Sequence, residues 1–319
     1  MNSIDTPWSG MRTPASGRLS TLRVPVDSVK PWYWIKSEGG YYGVAIQLNA
    51  NEGGVAVNIR GTKKIQIIRV DDSNEDHYLG VVINSSELAT VFHRLCLDLV
   101  QACNYADTTN QILGILKRRV AAWQRLFEKG GQRLSPEKCL GLISEMKFLT
   151  EHWIPRLSAS GVIGWFGPTG GAQDFKDVTK NIAVEIKSHG VQSDVIKIAS
   201  KEQLDYDGQL FLVAYPGALS SDEAALTLNQ YVEEAKAKVP PNHYPLFEER
   251  IMEAGYIYDT YYDELRFILG EPTVYRVGEE FPKLTSETLP SAIRSIRYDL
   301  SLSSIAEWNC SMTEIKNKG

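Results

Sequence analysis

Three residues near the middle of the chain have the types and spacing needed for metal-assisted hydrolysis. Glu185 follows Asp174 by eleven residues, and Lys187 follows Glu185 by two. Alternate side chains of a β-strand share a face, so Glu185 and Lys187 lie on one side of a strand over 182–188, with Cβ atoms about 6.6 Å apart. If the segments on either side of the turn at 177–181 pair as a hairpin, Asp174 comes alongside Glu185. The spacing therefore predicts two carboxylates and an ammonium group on one sheet surface.

Such a group of charges favours a divalent cation. Two neighbouring carboxylates repel each other unless a cation joins them or one of them takes up a proton. Mg²⁺ suits them because it prefers one or two carboxylates together with waters and phosphate oxygens. The ammonium of Lys187 can then orient or activate the attacking water and offset the charge that develops on a phosphate.

The same charges have a simpler interpretation, as the solvent-facing side of an edge strand with Asp174 in a turn. Charged residues on strands are more often of that kind. The run of Ile182, Val184 and Ile186 on the opposite face favours a central strand instead.

A helix is predicted before these strands, because Ser135-Pro136-Glu137 has the order of a helix start: a capping hydroxyl, a proline and an acid in the first turn. The apolar spacing predicts that this helix runs to about Trp153 and ends at Pro155. A glycine-rich loop follows at 167–171. It lacks the Gly-Lys-Ser/Thr of a phosphate-binding P-loop, so we expect a flexible entry to the strand of Asp174.

From residue 195 onward, the sequence alternates between strand and helix patterns. Residues 265–269 and 273–277 resemble a closing hairpin. The other predicted strands are 195–198, 210–215 and 293–302, and the predicted helices are 221–238 and 244–254.

The amino-terminal part of the chain has the pattern of a small antiparallel sheet followed by helices. Its predicted strands are 22–26, 42–47, 55–60, 65–70 and 78–83. From Ser85 the apolar period becomes helical, which predicts one helix to about Cys103 and a second over 109–129 that ends at Gly130-Gly131. We therefore expect three parts: a β-rich region at 1–85, a helical connector at 86–134 and an α/β domain at 135–319.

The second of these helices carries the most basic stretch of the chain. Lys117, Arg118 and Arg119 are adjacent in it and are candidates for contacts to a nucleic-acid backbone. A solvated helix face would have the same residues. Gln203 starts another short segment and is either a phosphate contact or a helix cap.

Composition and charge argue against several classes of protein. The net charge of −5 does not suit a protein that coats nucleic acid through bulk charge. No apolar run reaches the ~18 residues of a membrane span, and the amino terminus lacks the features of a secretory signal. We therefore expect no membrane association and a cytoplasmic location. The four cysteines form no CxxC pair, which argues against a zinc ribbon or a disulfide framework.

The Asp-x(10)-Glu-x-Lys pattern resembles the PD-(D/E)xK nuclease superfamily, whose fold is a restriction-endonuclease-like mixed α/β sheet flanked by helices. One family of uncharacterised bacterial proteins in that superfamily has flanking motifs in the same order, clearly over about 135–215 and weakly elsewhere. The matching motifs are Glu145-x-x-Phe148-Leu149, Trp165-Phe166-Gly167-Pro168, Asp174-Phe175, Glu185-Ile186-Lys187 and Ser200-Lys201-Glu202-Gln203-Leu204. The motif that names the superfamily has a proline directly before its aspartate, and this chain has Gln173 at that position.

The resemblance implies a metal-dependent DNA endonuclease. Asp174 and Glu185 would hold Mg²⁺, with Mn²⁺ able to take its place, and Glu145 would complete the metal shell. Lys187 would position the attacking water. The implied setting is bacterial restriction or anti-phage defence, with DNA as the substrate, other defence-system proteins as partners, and a homodimer as an open option. Two alternatives remain: a catalytically silent nuclease-fold scaffold or DNA-binding subunit of a larger complex, and an RNA-processing enzyme.

Overall fold

The structure, a computed structural model, describes residues 6–15, 18–26, 28, 30–48, 65–71, 77–85, 88–104, 106–128, 133–290 and 292–317. It divides into two compact units, residues 1–131 and 132–319. The predicted α/β class, with an antiparallel sheet at the amino-terminal end and a mixed sheet after it, is confirmed. The strand predicted at 55–60 and the helix end at Gly130-Gly131 lie outside the described residues. The three-part division at residues 85 and 134 stays a prediction.

The first unit contains, in its described part, a five-stranded antiparallel sheet with the strand order β1-β2-β3-β5-β4. The strands are β1 (Leu19–Arg23), β2 (Trp32–Ser37), β3 (Tyr42–Leu48), β4 (Ile65–Asp71) and β5 (His77–Ile83), and the helices are α1 (Ala89–Ala102) and α2 (Thr109–Glu128). Trp8, which precedes β1, donates its indole N–H to the carbonyl of Gly43 at 2.8 Å and packs against Trp34 and Tyr42. This contact fixes the amino-terminal arm to the sheet.

The second unit is built on a mixed sheet with strand β9 at its centre. Its helices are α3 (Pro136–Phe148), α4 (Ile154–Leu157), α5 (Leu228–Lys238), α6 (Tyr244–Glu253) and α7 (Met312–Asn317). Its strands are β6 (Phe175–Asp177), β7 (Ile182–Gly190), β8 (Val195–Ile198), β9 (Gln209–Ser220), β10 (Leu226–Thr227), β11 (Arg266–Leu269), β12 (Thr273–Val277), β13 (Tyr298–Ser301) and β14 (Asn309–Cys310). Strand β7 runs parallel to β9 on one side, and β11 and β12 pair with β9 antiparallel on the other. Strand β6 extends the sheet beyond β7, whereas β8 and β13 form a separate ribbon.

None of the helices in the described part of the chain is both long and apolar enough to cross a membrane.

Strand β7 is buried on both faces, because its two sets of alternate residues pack into different apolar cores. Ile182, Val184 and Ile186 pack into the core that contains the buried side chains of α3, whereas Ala183 packs into the core on the opposite face. The predicted alternation is therefore confirmed. The alternative of a solvent-facing edge strand is wrong, since Glu185 is only 1% exposed and β7 has a neighbour on each side.

Several predictions of element boundaries in this unit are also wrong; of the strand predicted over 293–302, for example, only Tyr298–Ser301 is a strand. Strands β11 and β12 do not form a hairpin: both run antiparallel to β9, which is twelve residues long and pairs with each in turn. The Gly-Glu-Pro between them has the composition of a turn but forms a bulge, in which Gly270 donates its N–H to the carbonyl of Pro216 at 2.7 Å. The helix predicted from residue 221 begins only at Leu228, where Thr227 and Gln230 form a capping box.

The helix predicted over 135–153 begins as expected but continues beyond Pro155. Ser135 caps it by accepting the N–H of Lys138 at 3.4 Å. A wider π-helical turn at Leu149–Trp153 follows α3 and leads into α4, which contains Pro155. In a regular helix a proline ring clashes with the carbonyl four residues earlier and its nitrogen has no hydrogen to donate. The wider turn removes this conflict, so the chain does not have to leave the helix.

A buried ion pair connects the turn of the β6–β7 hairpin to α4. Arg156 donates to Asp177 at 3.0 Å, with the two side chains 7% and 4% exposed. The same guanidinium donates to the backbone carbonyl of Ile315 in α7. Asp177 also accepts hydrogen bonds from the backbone N–H and hydroxyl of Thr179, which close the turn between β6 and β7. This one arginine therefore holds together α4, the hairpin and α7.

Replacing Arg156 by methionine should destabilise the protein by about 3–5 kcal/mol, because the Asp177 carboxylate would stay buried without its cation. The free energy of unfolding from urea titration measures the loss. Lys147→Met is the matched control: it breaks the more exposed pair with Glu151, at 3.3 Å, and should cost less than about 1 kcal/mol. Equal losses in the two variants would contradict the structural importance of the buried pair.

Candidate active site

The pairing of β6 with β7 brings Asp174 level with Glu185. Phe175 lies opposite Val184 in the antiparallel register, so the residue before Phe175 faces the residue after Val184. Asp174 Oδ2 accepts the backbone N–H of Ile186 at 2.7 Å. On its other side, the backbone carbonyl of Asp174 accepts the N–H groups of residues 166 and 167 at 2.7 and 3.0 Å. The carboxylate of Asp174 is therefore held by the strand it faces, and its backbone is held by the loop before it.

Glu185 and Lys187 share one face of β7, as their spacing predicts. Lys187 Nζ lies 2.7 Å from Glu185 Oε1, with the lysine side chain 14% and the glutamate 1% exposed. This ammonium is the cation paired with the Glu185 carboxylate. Burial raises the pKa of Glu185 well above its usual value, and the charge of Asp174 raises it further. Glu185 is thus a buried carboxylate that lies between one ammonium and a second acid.

Lys187 has a second contact that its position in the sequence does not reveal. Its ammonium donates to Gln203 Oε1 at 2.9 Å, and the same oxygen accepts the backbone N–H of Ala199 at 2.8 Å. Gln203 was considered above as a phosphate contact or a cap, and the structure places it against the lysine. The two residues are sixteen positions apart, one on a strand and one in a turn, and no repeating pattern in the sequence relates them. The sequence therefore did not predict this contact.

Glu145 reaches the same region from α3. Trp165, which is fully buried, donates its indole N–H to Glu145 Oε2 at 2.7 Å. Burial raises the pKa of Glu145 well above its usual value, with the charge of Asp174 as the second cause. The structure therefore brings Glu145 close to Asp174 and Glu185, and the tryptophan is a neighbour that the sequence analysis did not identify.

Gly167 lies where the carboxylates of Glu145 and Asp174 approach the glycine-rich loop. A Cβ at this position would collide with Glu145 Oε2 and Asp174 Oδ1. The next residues turn back on themselves, with N–H groups of 169 and 171 bonded to the carbonyl of Phe166 at 3.0 and 3.1 Å. The loop is thus a folded turn against Asp174, and position 167 needs a glycine because any side chain there would fill the gap between two acids.

The three acids are buried close to one another, and Lys187 is the cation that lies beside them in the described part of the chain. Burial raises the pKa of Asp174 from 3.8 to about 6, while the N–H of Ile186 and the charge of Lys187 act in the opposite direction. Ionising all three carboxylates leaves an excess of negative charge that one ammonium does not balance. The electrostatics of the site therefore favour either bound protons or an additional cation.

These residues fit a divalent ion that keeps most of its own water. Among the residues that the structure describes, no three His, Cys, Asp or Glu side chains are arranged as a ready-made metal site. Mg²⁺ does not require one, since it commonly binds through one or two carboxylates and retains several waters. Asp174 and Glu185 supply that donor set, because the antiparallel pairing of β6 with β7 places their two carboxylates level with each other. Glu145 stands close enough to contribute through small movement or through water.

The three basic residues of α2 that were candidates for contacts to a nucleic-acid backbone have different surroundings within the first unit. Lys117 and Arg118 are exposed. Arg119 is buried and pairs with Asp98 at 3.1 Å, an aspartate that also accepts the indole N–H of Trp123. Arg119 therefore joins α2 to α1, and its guanidinium is not available to a phosphate, which corrects the expectation for that residue.

Comparison with known proteins adds one finding. A family model described as "Putative PD-(D/E)XK family member, (DUF4420)" matches residues 4–303. No curated protein and no solved structure gives a match.

Gly167→Ala should lower the affinity for Mn²⁺ by at least about tenfold, because the new methyl group would push the Glu145 and Asp174 carboxylates apart. Isothermal titration calorimetry with Mn²⁺ measures the affinity. Gly141→Ala is the control, since a Cβ there meets no atom within 4 Å and an alanine in a helix stabilises it by up to about 1 kcal/mol. Unchanged Mn²⁺ binding in Gly167→Ala would show that the gap is not part of a cation site.

Asp174→Asn should stabilise the metal-free protein increasingly as the pH rises from 3.8 towards 6. The pKa of Asp174 is raised to about 6, so over this range the folded protein holds a proton that the unfolded chain releases, and wild-type stability falls. The asparagine does not titrate and can still accept the N–H of Ile186. The gain in unfolding free energy, measured in EDTA, should vanish near pH 3.8 and reach up to about 3 kcal/mol above pH 6. A gain that does not vary with pH would contradict this assignment.

Proposed function

The chain belongs to the PD-(D/E)XK family whose model matches residues 4–303, and on that premise we propose that it is a metal-dependent DNA endonuclease. The observation that carries the proposal is the Glu185 carboxylate, buried at 1% exposure beside Lys187 and level with Asp174. Two buried carboxylates side by side repel each other unless a cation or a proton neutralises one of them.

Asp174 and Glu185 would hold Mg²⁺, or Mn²⁺ in its place, and Glu145 would complete the metal shell. When bound, the ion would lower the pKa of an attached water and offset charge on the scissile phosphate. The donor set consists of carboxylate oxygens, which suits these hard cations better than thiolate- or imidazole-binding metals.

Lys187 would act on the water and the phosphate without binding the metal, because an ammonium has only donors. Held by Glu185 and Gln203, it would donate a hydrogen bond to the attacking water or to a non-bridging phosphate oxygen. A donor already fixed in place stabilises the developing charge without reorganising during the reaction. The product would be a hydrolysed phosphodiester.

The wider setting that we propose is bacterial restriction or anti-phage defence in the cytoplasm, with other defence-system proteins as partners and a homodimer as an option. Lys117 and Arg118 would contribute to binding the DNA backbone. Each such contact should steepen the dependence of affinity on salt, because binding releases counterions from the DNA.

The competing function is a catalytically silent scaffold or DNA-binding subunit. It is favoured by one observation, the lack of a ready-made three-ligand metal cluster among the described residues. The presence of both acids and the lysine on one sheet surface favours the enzyme, because a scaffold has no need for two buried carboxylates that repel each other. Titration with Mn²⁺ separates the two functions.

Lys187→Met and Asp174→Ala should fail in different ways. Without its ammonium, Lys187→Met should bind Mn²⁺ and DNA but lose turnover by roughly 10²–10³, the usual cost of one electrostatic donor. Asp174→Ala should also lose Mn²⁺ binding, because it lacks a carboxylate ligand. The assay is nicking of plasmid DNA by the purified protein, alone and with its partner proteins, read beside metal titration.

A parallel reaction with RNA of the same sequence tests the third possibility, an RNA-processing enzyme. Cleavage that survives in both variants would mean that another protein cuts, and the scaffold function would then replace the enzymatic one.

A further inference from the structure

Two glutamines connect the lysine of the site to the strand that carries Asp174. Gln203 accepts a hydrogen bond from the Lys187 ammonium at 2.9 Å and a second from the N–H of Ala199 at 2.8 Å, both at Oε1. An amide oxygen has two lone pairs, and both are used here. The acceptor that faces Lys187 is thus fixed in direction by the backbone of its own turn.

The second glutamine fixes that turn in place. Gln173 is 1% exposed, and its Nε2 donates to the backbone carbonyls of Glu202, Gln203 and Asp205, at 3.5 and 3.3 Å for the latter two. These carbonyls belong to the 3₁₀ turn at Lys201–Leu204 and the residue after it. A proline at position 173 would have no side-chain donor. The glutamine that replaces the motif's proline therefore has a structural role in this protein.

The contacts form a closed ring around the site. Asp174 accepts the N–H of Ile186, whose neighbour Lys187 donates to Gln203. The turn that carries Gln203 is held by Gln173, which precedes Asp174 in the chain. Movement of the lysine, the acid or the turn alone would break at least one of these hydrogen bonds.

We propose that Gln203 is a positioning residue that holds the Lys187 ammonium at the reacting phosphate, and that Gln173 sets the turn from which it acts. This inference deepens the proposed endonuclease function and rests on it for its catalytic meaning. The chemistry explains why an amide occupies this place. A neutral acceptor directs the ammonium without adding a fourth negative charge to the three carboxylates. A cation drawn to Glu185 would compete with Lys187 for that carboxylate, and Gln203 would then be the contact that keeps the lysine in position.

The test compares Gln203→Met, which keeps the length of the side chain but removes the acceptor, with Gln203→Glu, which keeps an acceptor oxygen. Gln209→Met is the matched control, because Gln209 is exposed at the start of β9. The first readout is the rate at which acetic anhydride acetylates Lys187 in the metal-free protein, followed by mass spectrometry, with Lys176 as the internal reference. Gln203→Met should speed Lys187 acetylation by about tenfold, since the ammonium loses a charge-assisted hydrogen bond. Gln203→Glu and Gln209→Met should not speed it.

The second readout is plasmid cleavage with saturating Mn²⁺. Gln203→Met should lower kcat by about 10- to 100-fold, the cost of a misplaced catalytic group, with KM for DNA nearly unchanged. Circular dichroism and thermal unfolding confirm that each variant folds. An increase in KM with unchanged kcat would overturn the inference and make Gln203 a phosphate contact.

The two hypotheses can fail separately. If the wild type cuts and Gln203→Met leaves both kcat and Lys187 acetylation unchanged, the positioning role is wrong and the endonuclease function stands. If the wild type cuts no nucleic acid, the endonuclease function fails, and the acetylation rates alone decide whether Gln203 holds the lysine.

Discussion

Buried negative charge in the middle of the mixed sheet is the constraint around which the second unit is organised. Glu185 lies on a strand with apolar cores on both faces, where an unpaired carboxylate has no water to stabilise it. Asp174 and Glu145 add two more acids to the same enclosed space, and the pKa values of all three are raised by burial. A protein that keeps such an arrangement gives up stability at neutral pH, which is a common feature of functional sites.

The neighbours of the site limit this cost in ways that leave the acids available. The N–H of Ile186 and the indole of Trp165 each satisfy one carboxylate oxygen, on Asp174 and Glu145 respectively. Lys187 supplies a positive charge beside them, and Gly167 leaves room between two acids that a methyl group would occupy. None of these contacts neutralises Glu185 completely. The negative charge that Lys187 leaves unbalanced is the physical basis for expecting an additional cation.

The part of this arrangement that depends on strand geometry was predictable from the sequence. Side chains two residues apart on a β-strand share a face, which places Glu185 and Lys187 together. A short turn between the antiparallel strands β6 and β7 then places Asp174 opposite Glu185. Contacts made by side chains from distant turns were not predictable, because Gln203 shares no period with Lys187. The bulge at Gly270 had the composition of a hairpin turn, and only the length of β9 decides that the chain continues in the same direction.

The hydrogen bond from Arg156 to Ile315 has a consequence for the timing of synthesis. Ile315 is buried in the same core as Ile182 and Val184, and its carbonyl completes the surroundings of the arginine that pairs with Asp177. During translation, Ile315 must leave the ribosome before the β6–β7 hairpin has all of these packing partners. The hairpin would therefore reach its final packing well after β6 and β7 themselves have been synthesised.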